Sequence, residues 1–128
     1  MIYEIRMIHI FKKKIKEYFG KEMKMTGKYT DFKWKESFLL EYKYLPYNYN
    51  IKIDHESGLF MILIDDGGKA STSLNRISGR IQEKLNAENI DVAISELRRV
   101  LDSNNFPMYF YEGEDVFEKK PNGQVIKI

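Results

Sequence analysis

The chain of 128 residues contains no cysteine. Disulfide bonds, thiolate zinc sites, iron–sulfur clusters and cysteine nucleophiles are therefore excluded. Histidine is nearly absent as well, since His9 and His55 are the only two, and two histidines cannot form a histidine metal cluster. For neither histidine does the sequence indicate an Asp or Ser with which it could form a catalytic pair. We expect a structural or exposed role for both, with His9 near the apolar side of a helix and His55 in a turn.

Long apolar runs are also missing. The longest, Leu59 to Ile64, has six residues, whereas a membrane-spanning helix needs about 20. Near the N-terminus, Glu4, Arg6 and His9 interrupt the run of about 7 to 15 apolar residues that a secretory signal requires. No lipidation motif is present. We therefore expect no membrane association and a cytoplasmic location.

The composition that remains is typical of a globular protein. Apolar residues make up 43%, aromatic residues 14% and charged residues 31% of the chain, and the mean hydropathy is −0.50. These values exclude a disordered, collagen-like or low-complexity chain. The length is that of one domain, which usually has about 100 to 150 residues. We expect a single domain over residues 1–128, and the sequence does not indicate its oligomeric state.

The N-terminal region carries apolar residues three and four positions apart, the spacing of an amphipathic helix. They are Ile5, Ile8, Phe11, Ile15, Tyr18 and Phe19. This pattern predicts a helix over about 4–19 that ends at Gly20. The alternative is a strand over Ile2 to Ile10, because Ile8 and Ile10 also alternate with His9.

The next region changes to period two, which predicts half-buried strands. Its even-numbered apolar residues are Phe32, Trp34, Phe38, Leu40, Tyr42 and Tyr44, and after a turn at Pro46 the odd-numbered ones are Tyr47, Tyr49, Ile51 and Ile53. A second turn covers residues 55–58. The run from Leu59 to Ile64 is apolar at every position, so we expect that strand to be covered on both faces.

The remaining sequence predicts two helices and then strands. The apolar stripes of the two helices are Leu74, Ile77, Ile81 and Leu85, then Ile90, Ile94, Leu97 and Leu101. Strands near 108–111, 116–119 and 124–128 follow, and Pro121-Asn122-Gly123 is a strong hairpin signal. The whole pattern predicts an α+β domain: a mainly antiparallel sheet of about five to seven strands, an N-terminal helix and a central helix pair on one face.

Charge is unevenly distributed along the chain. Residues 1–53 contain 12 Lys and Arg against 6 Asp and Glu, residues 54–118 contain 6 against 13, and residues 119–128 contain three lysines and no acid. The segments therefore carry +6, −7 and +3. Such segregation is typical of solvated faces whose charges interleave once the chain folds, and the alternative is a bipolar surface that binds an oppositely charged partner.

The glycine turn after the central strand is the nearest approach to a catalytic motif. A phosphate loop needs a glycine where this chain has Leu63 and a Ser or Thr where it has Ala70, so Gly67-Gly68-Lys69 does not match. Asp65 and Asp66 are adjacent on a strand and should point to opposite faces. We therefore expect no metal, no cofactor and no enzymatic activity.

Aromatic residues are concentrated between residues 29 and 49, and Lys28, Lys33, Lys35 and Lys43 lie beside or among them. Stacking aromatics beside cations would suit a single-stranded nucleic acid. The aromatics, however, share their phase with Leu40, as in an ordinary core sheet with a lysine-bearing outer face. Binding of nucleic acid through Lys12, Lys13, Lys14, Lys16 and the Lys33/Lys35 face is thus an alternative hypothesis.

This cysteine-free, lysine- and tyrosine-rich α+β chain with its Pro-Asn-Gly hairpin resembles the bacterial immunity proteins that neutralise polymorphic or contact-dependent toxins. The resemblance extends over the composition and architecture of the whole chain and rests on no motif. It implies a cytoplasmic protein that binds a toxin domain, often a nuclease, and blocks its active site or substrate-binding face.

A nuclease holds phosphates with a basic active site, so an inhibitor would present carboxylates together with aromatic anchors. One segment offers both, and its candidate partner-binding residues are Tyr109, Tyr111, Glu112, Glu114, Asp115 and Glu118. A second acidic set is Asp54, Glu56, Asp65 and Asp66. We expect one of these two sets to face the partner.

Overall fold

A computed structural model describes residues 2–33 and 36–128. The helices are α1 (Ile2–Phe19), α2 (Leu74–Ile77) and α3 (Ala87–Ser103), and a 3₁₀ turn (Gly20–Glu22) follows α1. The strands are β1 (Met23–Asp31), β2 (Ser37–Tyr44), β3 (Tyr49–Glu56), β4 (Leu59–Asp65), β5 (Ser71–Ser73), β6 (Met108–Glu112), β7 (Asp115–Lys119) and β8 (Val125–Lys127).

The strands of the described residues form one eight-stranded sheet in sequence order, each antiparallel to the next. The predicted α+β class and antiparallel sheet are confirmed, but the strand count exceeds the predicted five to seven. Part of the excess is β5, whose polar sequence Ser71-Thr72-Ser73 has no apolar alternation that would indicate a strand. Hydrogen bonds to β4, rather than side-chain pattern, make this segment a strand.

The N-terminal helix is confirmed, and the alternative strand over Ile2 to Ile10 is wrong. Gly20 has a φ of +56° directly after the helix, the left-handed conformation in which glycine commonly ends helices. The predicted buried face needs one correction, because Ile5 is 40% exposed while Met7 is buried. The side of α1 that faces the sheet is centred on Phe11, one helical turn from Met7 and from Ile15.

The first of the two predicted central helices is wrong beyond its first turn. Only Leu74–Ile77 is helical, and the following residues 78–86 are irregular, with a turn at 79–80 and a bridge between Lys84 and Leu59. There the Phe60 N–H donates to the Glu83 carbonyl and the Leu85 N–H to the Gly58 carbonyl, both at 2.8 Å. The segment therefore runs beside the start of β4, where the short β5 does not reach, and sheet-edge hydrogen bonds replace helical ones.

The second central helix is confirmed as α3, and its N-cap is Asn86. The Asn86 side chain accepts a hydrogen bond from the Asn89 N–H at 2.8 Å. The hairpin at Pro121-Asn122-Gly123 is also confirmed, because Lys119 pairs with Val125 across it and Gly123 has a φ of +89°.

The first strand pair differs from the predicted alternation around residue 34. Phe32 lies in the turn after β1 rather than in a strand. Trp34 and Lys35 lie outside the described residues, and Glu36 enters β2 with a φ of +49°. From Phe38 onwards the alternation holds, and Phe38, Leu40, Tyr42 and Tyr44 are buried.

The helices α1 and α3 pack against each other and cover one face of the sheet. The buried side chains of these helices and of β2, β3 and β4 form one hydrophobic cluster. The prediction that Leu59 to Ile64 is covered on both faces is wrong: Phe60, Ile62 and Ile64 are buried, but Leu59 and Met61 are 53% and 40% exposed. The opposite, outer face of the sheet is therefore open to solvent at β4.

Candidate partner-binding surface

The pairing register of the strands places a row of side chains across the outer face of the sheet. Tyr29 pairs with Leu39, Leu39 with Asp54, and Asp54 with Met61. Directly paired residues project to the same face of a sheet. The row therefore runs from the edge strand β1 to β4 and brings together residues that are far apart in the sequence.

Three concavities follow this row and continue beyond it. Their volumes are about 160, 220 and 550 Å³. Asp54 lines the first two, and Met61 and Glu83 line the second and the third. We call the resulting surface the outer-face band; its residues are Tyr29, Leu39, Asp54, Glu56, Leu59, Met61, Leu63, Glu83, Tyr109 and Tyr111.

The band is rich in exposed large apolar side chains. Tyr29 is 58%, Leu59 53% and Tyr111 73% exposed, and Met61 lies between the latter two. Contiguous exposed apolar surface rimmed by polar groups marks interaction sites in soluble proteins. Tyrosine and methionine are among the residues enriched at the cores of protein interfaces.

The middle of the band is acidic. Asp54, Glu56 and Glu83 line the second concavity around Leu59 and Met61, and all three are exposed. In residues 2–33 and 36–128, none of these three carboxylates takes part in an ion pair. Within the described chain, no direct ion pair therefore neutralises them.

The largest concavity lies where the sheet is weakly joined. Among the described residues, β5 and β6 are connected by a single pair, Ser71 with Tyr109. The Arg76 guanidinium lies 5.9 Å from the centre of the Tyr109 ring, which bridges the two parts of the sheet. The short β5 thus leaves a cleft between two well-paired parts of the sheet.

The wall of this cleft contains hydrogen-bonding groups that the described residues leave unused. The Asn75 Oδ1 accepts the Ile62 N–H at 3.3 Å, which fills the gap in β4 pairing between β5 and the segment at Glu83. The Asn75 Nδ2 and the Thr72 Oγ1 are buried, and neither has a hydrogen-bond partner in the part of the chain that the structure describes. Both residues line the cleft.

Two of the predicted partner-binding residues belong to the band. Tyr109 and Tyr111 line the cleft at its end. Glu118 pairs with Tyr109 across β6 and β7 and so projects to the same face. The structure therefore brings this part of the 109–118 segment together with Asp54 and Glu56 from the second predicted set.

The other carboxylates of the segment lie at the β6–β7 hairpin. Glu112 forms an ion pair with Lys69, and Asp115 forms one with Lys127 at 3.3 Å. Glu114 is exposed at the hairpin turn and has no ion pair within the described residues. To bind a partner protein, Glu112 and Asp115 would first have to break their ion pairs with Lys69 and Lys127.

Asp65 and Asp66 are occupied within the chain. Asp65 accepts hydrogen bonds from the Asn50 amide and the Gly67 N–H, both at 2.8 Å. Asp66 accepts from the Gly68 N–H and from Lys119, also at 2.8 Å. Burial raises the pKa of Asp66, but the hydrogen bonds from Lys119 and Gly68 outweigh it and bring the pKa below its ordinary value.

The same contacts decide the role of the glycine turn. The N–H groups of Gly67 and Gly68 already donate to aspartates, and the Lys69 ammonium pairs with Glu112, so these three groups are not free to bind an anion. In the described ranges, no three His, Asp or Glu side chains lie close enough together to hold a metal ion.

The two histidines have different surroundings. His9 is exposed on α1. His55 lies at the end of β3 rather than in the predicted turn, is buried, and stacks on Phe38 with ring centres 4.7 Å apart. Its Nε2 accepts the Gly58 N–H at 3.1 Å. Burial lowers the pKa of His55 despite the nearby carboxylate of Glu4, so the neutral imidazole holds the β3–β4 turn.

Sequence reasoning missed Leu59, Met61, Arg76 and Glu83 as surface residues of the candidate site. The uninterrupted apolar run concealed that alternate β4 side chains face solvent. Arg76 and Glu83 lay within a predicted helix. Only the neighbouring strands reveal which β4 side chains face solvent. Leu63, for example, pairs with the polar Ser73.

Comparisons with protein-family models, curated proteins and solved structures give no match to this chain. Within residues 2–33 and 36–128, no helix combines the length and the apolar character needed to cross a membrane.

Proposed function

We propose that this protein is a protein-binding inhibitor of the bacterial immunity type, acting in the cytoplasm. In this proposal it neutralises a cognate toxin domain, such as a nuclease, by covering the basic active or substrate-binding face with the outer-face band. The observation that carries the proposal is the continuity of exposed apolar side chains and unpaired carboxylates across an uncovered sheet face.

The apolar part of the band supplies the anchors that a stable complex needs. A few large side chains near the centre of an interface usually provide most of the binding free energy, with tyrosine prominent among them. Leu59, Met61 and Tyr109 lie along the middle and one end of the band, and each borders a concavity that a partner side chain can enter. These residues favour a protein partner over a polyanion.

The acidic part of the band supplies charge complementarity. A surface that binds phosphates is basic, and opposite charges on two proteins accelerate association and suppress wrong partners. Asp54, Glu56 and Glu83 are free of internal ion pairs within the described residues. They can therefore contact a basic surface without first breaking an internal ion pair, whereas Glu112 and Asp115 would have to break theirs.

The test begins with isolation of the partner and continues with measured kinetics. The tagged protein is used to capture its partner from its own cells, and the partner is identified and purified. The proposal requires a toxin domain whose activity the protein inhibits. We expect the triple substitution Asp54→Lys, Glu56→Lys and Glu83→Lys to slow association about tenfold or more at low salt, with the difference shrinking as salt increases.

Two further triple variants of equal charge change locate the contact. The first tests the hairpin and combines Glu112→Lys, Glu114→Lys and Asp115→Lys. We expect it to slow association less than the band variant does. The matched control is the triple variant Glu17→Lys, Glu88→Lys and Asp102→Lys, whose three residues lie away from the band. Unchanged association of the band variant at low salt would refute the assignment of the band, and a captured partner that is not inhibited would refute the inhibitor function.

The nucleic-acid alternative makes a different prediction. It requires that the protein is retained on single-stranded RNA and that retention depends on the basic residues Lys12, Lys13, Lys14, Lys16, Lys33 and Lys35. Of these, Lys35 lies outside the described residues. Lys14 is already paired with Glu17 and Asp91. Of the aromatics between residues 29 and 49, Phe38, Tyr42 and Tyr44 are buried and cannot stack on bases, whereas Tyr29 and Tyr47 are exposed. Salt-sensitive retention on RNA without a protein partner would favour this alternative over the inhibitor.

A further inference from the structure

A second concavity of different character lies on the helix-covered side of the sheet. It is a groove of about 390 Å³ between the C-terminal half of α1 and the edge strand β1. Its apolar wall consists of Ile15, Met23, Met25 and Tyr42. The volume falls within the range of about 300 to 1,000 Å³ that is usual for small-molecule sites.

The rim of this groove is basic and uncompensated. Lys12, Lys16 and Lys21 line it, and in the described part of the chain none of the three forms an ion pair. The neighbouring acids are bound elsewhere: Glu17 lies 3.3 Å from Lys14, and Glu22 lies 2.7 Å from Arg98. Three cations therefore surround an apolar groove without internal counter-charges.

The wall also contains the hydroxyl group of Tyr42. Tyr42 is only 5% exposed, and its phenol makes no hydrogen bond to any described residue. Burial raises the pKa of Tyr42 to about 12, so the phenol keeps its proton and remains a donor. Because Tyr42 lines the groove, water or an oxygen-bearing ligand there can accept its hydrogen bond.

We propose that this groove binds a small amphipathic anion, an aliphatic chain with a carboxylate head. The chain lies against Ile15, Met23 and Met25. The carboxylate lies among the three lysines, within reach of a hydrogen bond from Tyr42. Apolar walls favour the aliphatic part and exclude a fully hydrated ion, while the uncompensated lysines select an anionic head over a neutral or cationic one.

This inference is independent of the proposed function, because the groove and the outer-face band lie on opposite faces of the sheet. It is tested by isothermal titration calorimetry with three ligands of equal chain length, each below its micelle concentration: decanoate, decanol and decyltrimethylammonium. We expect decanoate to bind, with an affinity that falls as salt increases, and the cationic ligand not to bind measurably.

Variants then assign the binding to this groove. We expect the combined Lys12→Gln, Lys16→Gln and Lys21→Gln substitutions to weaken decanoate binding about tenfold or more, because charge-assisted hydrogen bonds to the carboxylate are lost. Tyr42→Phe should weaken it several-fold. The matched control is the triple variant Lys24→Gln, Lys43→Gln and Lys52→Gln, whose residues lie on the outer face of the sheet. It should leave the affinity for decanoate unchanged.

Three results would overturn the proposal. One is equal binding of all three ligands, which would indicate nonspecific apolar contact. Another is unchanged decanoate affinity in the groove triple variant whose circular dichroism and melting temperature match the parent. The last is salt-sensitive binding of single-stranded RNA through Lys12, Lys16 and Lys21 in the absence of any decanoate binding, which would assign the basic rim to nucleic acid.

Discussion

At the scale of the residue, His55 shows how burial decides the chemistry of a side chain. Its imidazole stacks on Phe38 and accepts the Gly58 N–H through Nε2, which requires an unprotonated Nε2. The buried Nδ1 has no hydrogen-bond partner among the described residues. Protonation would place a charge in the core and remove the hydrogen bond that fixes the β3–β4 turn, so His55 stabilises the fold only while it is neutral.

This predicts a pH dependence of stability. The folded-state pKa of His55 lies below its ordinary value of about 6.5, so the unfolded chain takes up the proton first. The contribution is complete above pH of about 6.5 and is lost as the pH falls through the folded-state pKa. Urea unfolding between about pH 7.5 and 5 should show a decline that is absent in His55→Gln.

His9→Gln is the control for this prediction, because His9 is exposed on α1. Its unfolding should show the same decline as the parent protein. An equally steep decline in His55→Gln would show that other groups cause it. Asp66 and Glu96, whose pKa values are lowered, act only at more acidic pH.

At the scale of the element, Glu96 anchors the irregular segment that stands where the sequence predicted a helix. Glu96 is buried on α3 and accepts the Ser78 hydroxyl at 2.7 Å and the Arg99 guanidinium at 2.9 Å. The hydrogen bond from Arg99, opposed by burial and aided by Ser78, lowers the pKa of Glu96. This tertiary contact holds the chain in a turn directly after α2, where the apolar spacing alone favoured a continuing helix.

We therefore expect Glu96→Ala to destabilise the protein by about 2 to 4 kcal/mol, because it leaves the buried Ser78 hydroxyl without its acceptor. Asp102→Ala, on the same helix, removes only a partly exposed i,i+4 ion pair with Arg98 and should cost about 1 kcal/mol or less. Chemical denaturation measures both. Equal losses in the two variants would contradict the anchoring role.

The elements differ in how far the sequence could predict them. The helices α1 and α3 and the hairpin at Gly123 were predicted because local spacing, caps and turn residues specify them. The helix expected over Ile81 and Leu85 was wrong because an irregular segment buries those side chains as well. The strand β5 was missed because its pairing with β4, not its polar sequence, makes it a strand.

At the scale of the whole molecule, the sheet is covered by helices on one face and open on the other. The strand β4 displays this division within adjacent residues: Ile62 is fully buried beneath the helices, whereas Met61 is 40% exposed on the outer-face band. The band joins Tyr29 near one edge of the sheet to Tyr111 beyond β5. Its extent is therefore a property of the assembled sheet and of no single segment.

This architecture predicts opposite outcomes for neighbouring substitutions. Ile62→Ala should lower the free energy of unfolding by about 2 to 5 kcal/mol, since it creates a cavity in the core. Met61→Ala should change it by less than about 1 kcal/mol while weakening partner binding, which urea denaturation and the kinetic assay above measure separately. Comparable stability losses would show that both faces of β4 are covered.

The candidate site was only partly predictable. Tyr109 and Tyr111 were identified because tyrosines beside carboxylates stand out in the sequence, and Asp54 and Glu56 because they are acids near a turn. Nothing local indicated that Glu112 pairs with Lys69, 43 residues earlier, or that Met61 is exposed. Those facts depend on which strands become neighbours.

By itself, the sequence determined the helix at the N-terminus, the helix α3, the antiparallel character of the sheet and the absence of cysteine chemistry. These follow from composition and from interactions within a few residues of one another. Only the tertiary structure decided which face of β4 meets solvent, which carboxylates keep an internal lysine and which lysines are left around the groove at Tyr42. Burial and ion pairing depend on distances between segments, and the order of side chains along a chain does not specify those distances.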